Sequence, residues 1–154
     1  FLSEFGKVEE AMSIDAALHA IREQKPRRLL ALRERLERGI RSRLPDAVIH
    51  GAEAPQRAPH IVNVSVPGTD SESMLMALDL QGIGCSAGSA CQAGSSSPSH
   101  VLSAIGARRD LVNSAIRMSL GSLSDAQSVD RVIEVFAKLV QKARGTTPAY
   151  ASAG

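Results

Sequence analysis

Two cysteines and one arginine are the residues of this chain whose type and setting could do chemistry. Cys85 and Cys91 lie in "GIGCSAGSACQAGSSSPSH" (82–100), where Gly, Ala and Ser fill 12 of the first 16 positions. A buried cysteine needs bulky neighbours, and this stretch has few. A thiol in a loop of small residues is accessible enough to act as a nucleophile. The residues alone leave two interpretations of Cys91 open, a travelling nucleophile and an inert loop thiol.

The spacing of the thiols argues against a metal or disulfide role. The two cysteines are six residues apart, no second pair exists, and the four histidines are scattered singly at His19, His50, His60 and His100. A tetrahedral zinc site needs four ligands at closer spacing, so we predict no metal site. Cys85 follows Ile83 at the end of an apolar segment, and we expect a small buried thiol there.

Arg117 lies in "SAIRMSLG" (114–121), which alternates like a strand. Ile116, Met118 and Leu120 fall on one face, whereas Arg117 and Ser119 fall on the other. The pattern predicts a half-buried strand with a single arginine on its polar face. Charge pattern alone favours a surface residue paired with a nearby acid.

Helices and strands that could position these residues alternate along the chain, and we predict an α/β (α+β) fold with helices packed on a small sheet. The predicted helices are one over 7–24, one that ends at Leu44 and that Pro26 either opens or joins to the first as a kinked continuous helix, one capped by Asp70 or Ser71 and ended by Gly82, a short one from Pro98 to Gly106, and an amphipathic one that begins at a Ser124–Gln127 capping box. The predicted strands lie over 60–66 and 114–121.

Composition sets the class of protein. The 154 residues are 44% hydrophobic, 22% charged and only 3% aromatic, which predicts one globular domain with an aliphatic core. No charged stretch is followed by an apolar run of membrane-spanning length, so we expect a cytoplasmic protein without a membrane partner.

A basic helix raises the alternative of nucleic-acid binding. Seven arginines lie between residues 27 and 43, but the net charge is only +2 and no aromatic residue is interleaved for base stacking. A solvated helix face is the favoured interpretation, and no nucleic-acid partner is predicted. A basic-helix nucleic-acid binder stays open as a different class of function.

The cysteine stretch resembles a known family. "GIGCSAGSACQAGSSSPSHVLSAIG" followed by "SAIRMSLG" is similar to the C-terminal part of NifS and IscS cysteine desulfurases, which are class-V, pyridoxal-phosphate-dependent enzymes. The family loop reads close to SSGSACTSGSLEPSHVL, and the blocks 88–91 and 98–102 match it in sequence and spacing. This chain departs at Ala87, Gln92 and the Ser96–Ser97 pair, none of which removes a reacting group. The match covers residues 60–121 well and the first 25 hardly at all.

The resemblance implies a chemistry and a set of partners. Pyridoxal phosphate would weaken the C–S bond of L-cysteine, Cys91 would take the sulfur as a persulfide, and L-alanine would leave. Arg117 matches the arginine that holds the substrate carboxylate, and its guanidinium fork suits a bidentate pair. The sulfur would pass to an iron-sulfur scaffold or another acceptor protein, and the complete enzyme is expected to be a homodimer.

The resemblance also implies that the cofactor-binding part of the enzyme is not in this chain. The family's cofactor lysine stands in a Ser-x-His-Lys setting, which none of Lys7, Lys25, Lys138 and Lys142 has. We therefore expect residues 26–143 to be the small C-terminal domain of a desulfurase, as a fragment or half of a split enzyme, inactive without the large cofactor-binding domain. Residues 1–25 would be a helical segment of unassigned role and 144–154 a flexible tail. A non-catalytic sulfur-relay or protein-interaction module that keeps the persulfide loop is the other alternative.

Overall fold

Five helices and three strands make up the described part of the chain. The computed structural model describes residues 14–87 and 99–145, with the backbone alone for 14–23 and 100. The elements are α1 (Ile14–Arg43), β1 (Val48–Ile49), β2 (Ile61–Ser65), α2 (Ser71–Asp79), α3 (His100–Ala104), α4 (Arg109–Asn113), β3 (Ala115–Ser119) and α5 (Ala126–Gly145).

The strands form an antiparallel sheet in the order β1-β2-β3. Val62 pairs with Met118 and Val64 with Ile116, and all four side chains are buried on one face. The intervening residues of both strands face the other side, as strand geometry requires. The predicted fold class, helices packed on a small sheet, is therefore confirmed, and so is the predicted alternation around Arg117.

Helices α1 and α5 cover the buried face of the sheet. The apolar stripe predicted for α1 is buried, with Leu36 and Ile40 each 1% exposed. Helix α5 buries Phe136 and its neighbours against the same cluster. The two helices approach closely at Gly39, where a Cβ would lie 2.3 Å from Cδ1 of Ile133. Residues other than glycine would force one helix or the Ile133 side chain to move.

The arginine-rich surface of α1 differs from the predicted solvated face. Arg33 is buried and donates from Nη1 to the carbonyl of Ala58 at 2.8 Å. Arg35 forms a two-pronged ion pair with Asp130 of α5, at 2.7 and 2.8 Å. These arginines tie α1 to its neighbours because a long guanidinium side chain can pack its stem and still reach a distant acceptor. Of the two alternatives at Pro26, the continuous helix is the one that forms, because α1 runs unbroken through Pro26 over Ile14–Arg43.

Some of the helix caps are those that the sequence predicts, and one is not. Asp70 caps α2 by accepting the N–H of Ser73 at 2.9 Å, and Gly82 takes the positive φ of 71° expected after that helix. The predicted cap of α5 is wrong by one residue. Asp125 accepts from the N–H of Ser128 while the Ser128 hydroxyl accepts from the N–H of Asp125, because a carboxylate is the better acceptor for a helix N-terminus.

Two short helices cover part of the other face of the sheet. Leu102 of α3 and Val112 of α4 pack with Ala115 of β3 in a second, smaller cluster. Helix α4 was not predicted from the sequence. Gly106 ends α3 with φ 79°, as predicted, whereas Pro98 lies outside the described residues and Ser99 is the N-cap. None of the described helices is long and apolar enough to cross a membrane.

The end of α5 extends beyond the predicted helix. Arg144 and Gly145 are its last residues, and Arg144 donates to the carbonyl of Pro67 and to Asp46. The remainder of the predicted tail, 146–154, lies outside the described residues.

Candidate functional site

Arg117 lies on the face of the sheet opposite the main core. Its neighbours in β3, Ile116 and Met118, are buried, whereas the Arg117 side chain is half-buried. Within residues 14–87 and 99–145, the guanidinium has no hydrogen-bond or ion-pair partner. The surface ion pair favoured by charge pattern alone is thus not formed among these residues, and five N–H donors are available to a ligand.

A row of polar residues crosses the sheet at the level of Arg117. The backbone N–H of His50 donates to the backbone carbonyl of Asn63, and Asn63 pairs with Arg117 in the β2–β3 register. On its other side Arg117 exchanges both backbone bonds with Ser86, at 2.7 and 3.1 Å. The polar row, residues 50, 63, 117 and 86, therefore presents side chains on one face of four adjacent chain segments.

A buried hydrogen-bond chain fixes one end of the polar row. The Ser65 hydroxyl donates to the carbonyl of Leu111 in α4 at 2.5 Å, so Nε2 of His50, 2.7 Å from the same oxygen, must donate its proton to Ser65. Burial lowers the pKa of His50, which favours this neutral ring. These hydrogen bonds connect the residue after β1 to β2 and to α4 on the Arg117 face.

One end of the 88–98 stretch is bonded to the edge of the sheet beside Arg117, and the other end is attached on the Arg117 face. At one end, Ser86 is held by the two backbone bonds to Arg117. At the other end, Ser99 is buried and caps α3, which packs on Ala115 through Leu102. Cys91 lies outside the described residues. The described residues that flank the 88–98 stretch, Ser86 and Ser99, are attached to the sheet beside Arg117 and to the helix on its face.

Cys85 lies in a different environment. It packs against the main core cluster as predicted, but it is half-buried and not fully buried. Burial raises the pKa of this thiol to about 11, so the reactive thiolate is scarce at neutral pH. The thiol lines a cleft of about 220 Å³ with Met118 and Val129, on the core side of β3 and away from Arg117.

Comparisons with known proteins identify the family. The family model described as "Aminotransferase class-V" matches residues 7–132. The chain belongs to the class-V aminotransferase family. Its relatives within the family include proteins named cysteine desulfurase IscS from Methanosarcina thermophila, 40% identical over 82% of this chain and 31% of the relative, and IscS-like cysteine desulfurase from Mycobacterium tuberculosis, 38% identical over 85% and 33%.

A solved structure supports the same family. A NifS-like protein from Rickettsia africae superposes with a TM-score of 0.67 and 25% identity, covering 82% of this chain and 32% of that protein. The chain therefore spans about a third of the length of the relatives it matches. The predicted resemblance to NifS and IscS proteins is confirmed.

The described residues of this class-V aminotransferase chain do not fit a complete cofactor site. Lys25 lies on α1, and Lys138 and Lys142 lie on α5, the helices that cover the opposite face from Arg117. Lys138 is paired with Glu134 at 2.6 Å. No described lysine shares a face with Arg117, and we derive no step through pyridoxal phosphate.

Sequence reasoning missed three members of the polar row, because it considers His50 only as a possible metal ligand and does not consider Asn63 and Ser86 at all. Asn63 lies within "HIVNVSV", where the strand alternation predicts only which residues face the core, and Ser86 sits in the small-residue stretch. A polar residue on the exposed side of a predicted strand was the available signal for Asn63. Its pairing with Arg117 depends on the register of two strands more than 50 residues apart in the chain, which periodicity does not specify.

Proposed function

We propose that this chain is the small, C-terminal part of a cysteine desulfurase, and that it supplies Arg117 and Cys91 to the active site. The observation that carries the proposal is the attachment of the 88–98 stretch. Ser86 is bonded to Arg117 itself, and Ser99 belongs to the helix packed on the same face. Family membership and relatives named cysteine desulfurase support the same assignment.

Chain length allows the thiol to operate near Arg117. Cys91 follows Ser86 by five residues, so an extended chain can carry it up to about 17 Å from that anchor. This span covers both the neighbourhood of Arg117 and a docking acceptor protein outside it. A nucleophile that collects sulfur in one place and delivers it in another needs such a tether.

The role of each residue follows from its chemistry. The Arg117 guanidinium binds the carboxylate of L-cysteine with two parallel N–H···O bonds. The Cys91 thiolate attacks the substrate sulfur, so that an S–S bond forms as the C–S bond breaks. The bonding pair stays with the substrate carbon, for which the cofactor of the large domain would supply the electron sink, and a proton taken up there gives L-alanine. The sulfur of the Cys91 persulfide is then passed to an iron-sulfur scaffold or another acceptor.

The cofactor, pyridoxal phosphate, belongs to the large domain of the complete enzyme. We propose that the complete enzyme is a homodimer in the cytoplasm.

Turnover of the complete desulfurase tests the proposal. L-alanine released from L-cysteine is measured, and the persulfide is located by peptide mapping. We expect alanine formation with the persulfide on Cys91. Cys91→Ser should abolish both while leaving cofactor absorbance intact, because a hydroxyl is far too weakly acidic to replace the thiolate. Cys85→Ala is the matched control and should keep most of the turnover. A persulfide mainly on Cys85, or activity surviving in Cys91→Ser, contradicts the assignment.

This chain on its own separates the desulfurase proposal from the sulfur-relay alternative. The chain is incubated with L-cysteine and pyridoxal phosphate, or with a low-molecular-weight persulfide. Neither candidate should release alanine from L-cysteine in the chain alone, but adding the large domain should create this activity for a desulfurase part and not for a relay module. A relay module should take up one sulfur from the persulfide donor on Cys91 in the chain alone, at a rate that the large domain does not change.

A further inference from the structure

Asn63 carries a buried acceptor without a donor. Its Oδ1 is shielded from solvent and has no hydrogen-bond partner within the described residues. Buried polar atoms of native proteins are nearly always bonded, so an exception on the face of a proposed site calls for a missing donor. The atom lies in the polar row, next to Arg117.

The strand pairing places the two side chains close together. The N–H of Leu120 bonds to the carbonyl of His60, and hydrogen-bonded pairs alternate along the ladder, so Asn63 and Arg117 form a non-hydrogen-bonded pair. The other backbone bonds agree, because the backbone groups of both residues point away from each other. The Asn63 carbonyl accepts from the backbone N–H of His50, and Arg117 exchanges its backbone bonds with Ser86. Side chains of such a pair have Cβ atoms about 4.5–5.5 Å apart.

The guanidinium is the available donor nearest to Asn63, because Arg117 pairs with Asn63 directly, whereas the Ser86 hydroxyl lies one chain segment farther away, beyond Arg117. Nε2 of His50 is engaged by Ser65. Arg117 has five N–H donors, and a bidentate carboxylate takes two of them, which leaves donors free for a protein acceptor. An acceptor on the neighbouring strand would hold the planar fork in one orientation.

We infer that Asn63 is a positioning residue for substrate binding: its Oδ1 accepts an N–H of Arg117 when the guanidinium holds the carboxylate of the amino-acid substrate. The inference rests on the proposed function and adds a residue to it. Asn63 does not touch the substrate, and its effect reaches the carboxylate only through Arg117.

Steady-state kinetics of the complete desulfurase test this role. Asn63→Ala should raise KM for L-cysteine about tenfold and leave kcat within about twofold, the size expected when a hydrogen bond to a charged group is lost. Asn113→Ala, an exposed asparagine of α4, is the matched control and should change neither constant. In an Arg117→Ala background, Asn63→Ala should raise KM less than about twofold, because the group it positions is gone.

An isosteric variant covers the case in which Asn63→Ala does not fold. Asn63→Asp keeps the acceptor oxygen and adds a negative charge beside the guanidinium, so it should pair with Arg117 and repel the substrate carboxylate. KM should then rise at least as far as in Asn63→Ala. A residue that only fills space would lower thermal stability and change KM by the same factor with or without Arg117.

The outcomes separate the inference from the proposed function. An unchanged KM in Asn63→Ala or Asn63→Asp, while Arg117→Ala raises KM, overturns the inference alone. Equal effects of Asn63→Ala in both backgrounds overturn it as well. If the unsubstituted desulfurase forms no L-alanine from L-cysteine, the proposed function falls, and the inference falls with it.

Discussion

The thiol of Cys85 should react far more slowly than a free cysteine, and the size of the difference follows from its burial. The Cys91→Ser variant of this chain leaves Cys85 as its one thiol. Burial raises the pKa of Cys85 from 9.0 to about 11. At pH 8 the thiolate fraction is thus lower by about 100-fold, since each pKa unit is a factor of ten.

Part of this reduction is offset by nucleophilicity. A thiolate of higher pKa attacks a disulfide faster, with a Brønsted slope of about 0.4–0.5, so two pKa units return a factor of about 6–10. The expected rate with a small aromatic disulfide reagent is therefore about 10–15-fold below that of a free thiol of pKa 9.0. Restricted access to a half-buried side chain lowers the rate further.

A pH–rate profile measured by the absorbance of the released thiol tests the argument. The logarithm of the rate should rise with unit slope to pH 10, whereas a thiol of pKa 9.0 would level off. The folded state holds this proton more tightly than the unfolded state, so the free energy of unfolding falls as pH rises above about 9. Circular dichroism at each pH therefore shows whether the reacting protein is still folded. A plateau near pH 9 in folded protein refutes the burial argument.

Three further predictions concern stability, measured by denaturant unfolding. Glu37→Ala should cost about 3 kcal/mol, because it leaves two largely buried guanidinium groups without their carboxylate, whereas the exposed control Glu34→Ala should cost less than about 0.5 kcal/mol. Stability should fall as pH drops below about 6.5, because burial lowers the folded-state pKa of His50 and the unfolded chain takes up the proton first; His50→Gln should remove this part of the slope. Gly39→Ala should destabilise the protein by about 1–3 kcal/mol but stabilise the Ile133→Ala variant, where the clashing side chain is gone and the higher helix propensity of alanine remains. A pH slope unchanged in His50→Gln, or the same sign for Gly39→Ala in both backgrounds, would contradict these interpretations.

Elements with a long periodic pattern could be predicted from the sequence. The stripe of α1 and the alternation of β2 and β3 are buried as expected, because each pattern places its apolar residues on one face. Helix α4 was missed because five residues with one buried side chain, Val112, carry no periodic signal. The cap of α5 was placed one residue early because Ser124 accepts instead from the N–H of Gly121.

The candidate site was predictable only one residue at a time. The polar position of Arg117 follows from its own strand, but its neighbours come from the register with β2 and from the bridge to Ser86. Tertiary partners also decided which arginines of α1 are solvated. Arg33 is buried and bonds to the carbonyl of Ala58, 25 residues along the chain, a tertiary contact that no local charge pattern encodes.

Strand alternation explains why two thiols six residues apart have such different surroundings. Residue 86 bonds to Arg117 on the edge of the sheet, so residue 85 turns its side chain to the core beside Met118. A thiol at that position stays protonated at neutral pH and competes poorly for an electrophilic sulfur. The same bridge fixes the start of the stretch that carries Cys91 beside the proposed carboxylate site. One pair of backbone bonds therefore both keeps Cys85 out of the proposed chemistry and sets the point from which Cys91 reaches it.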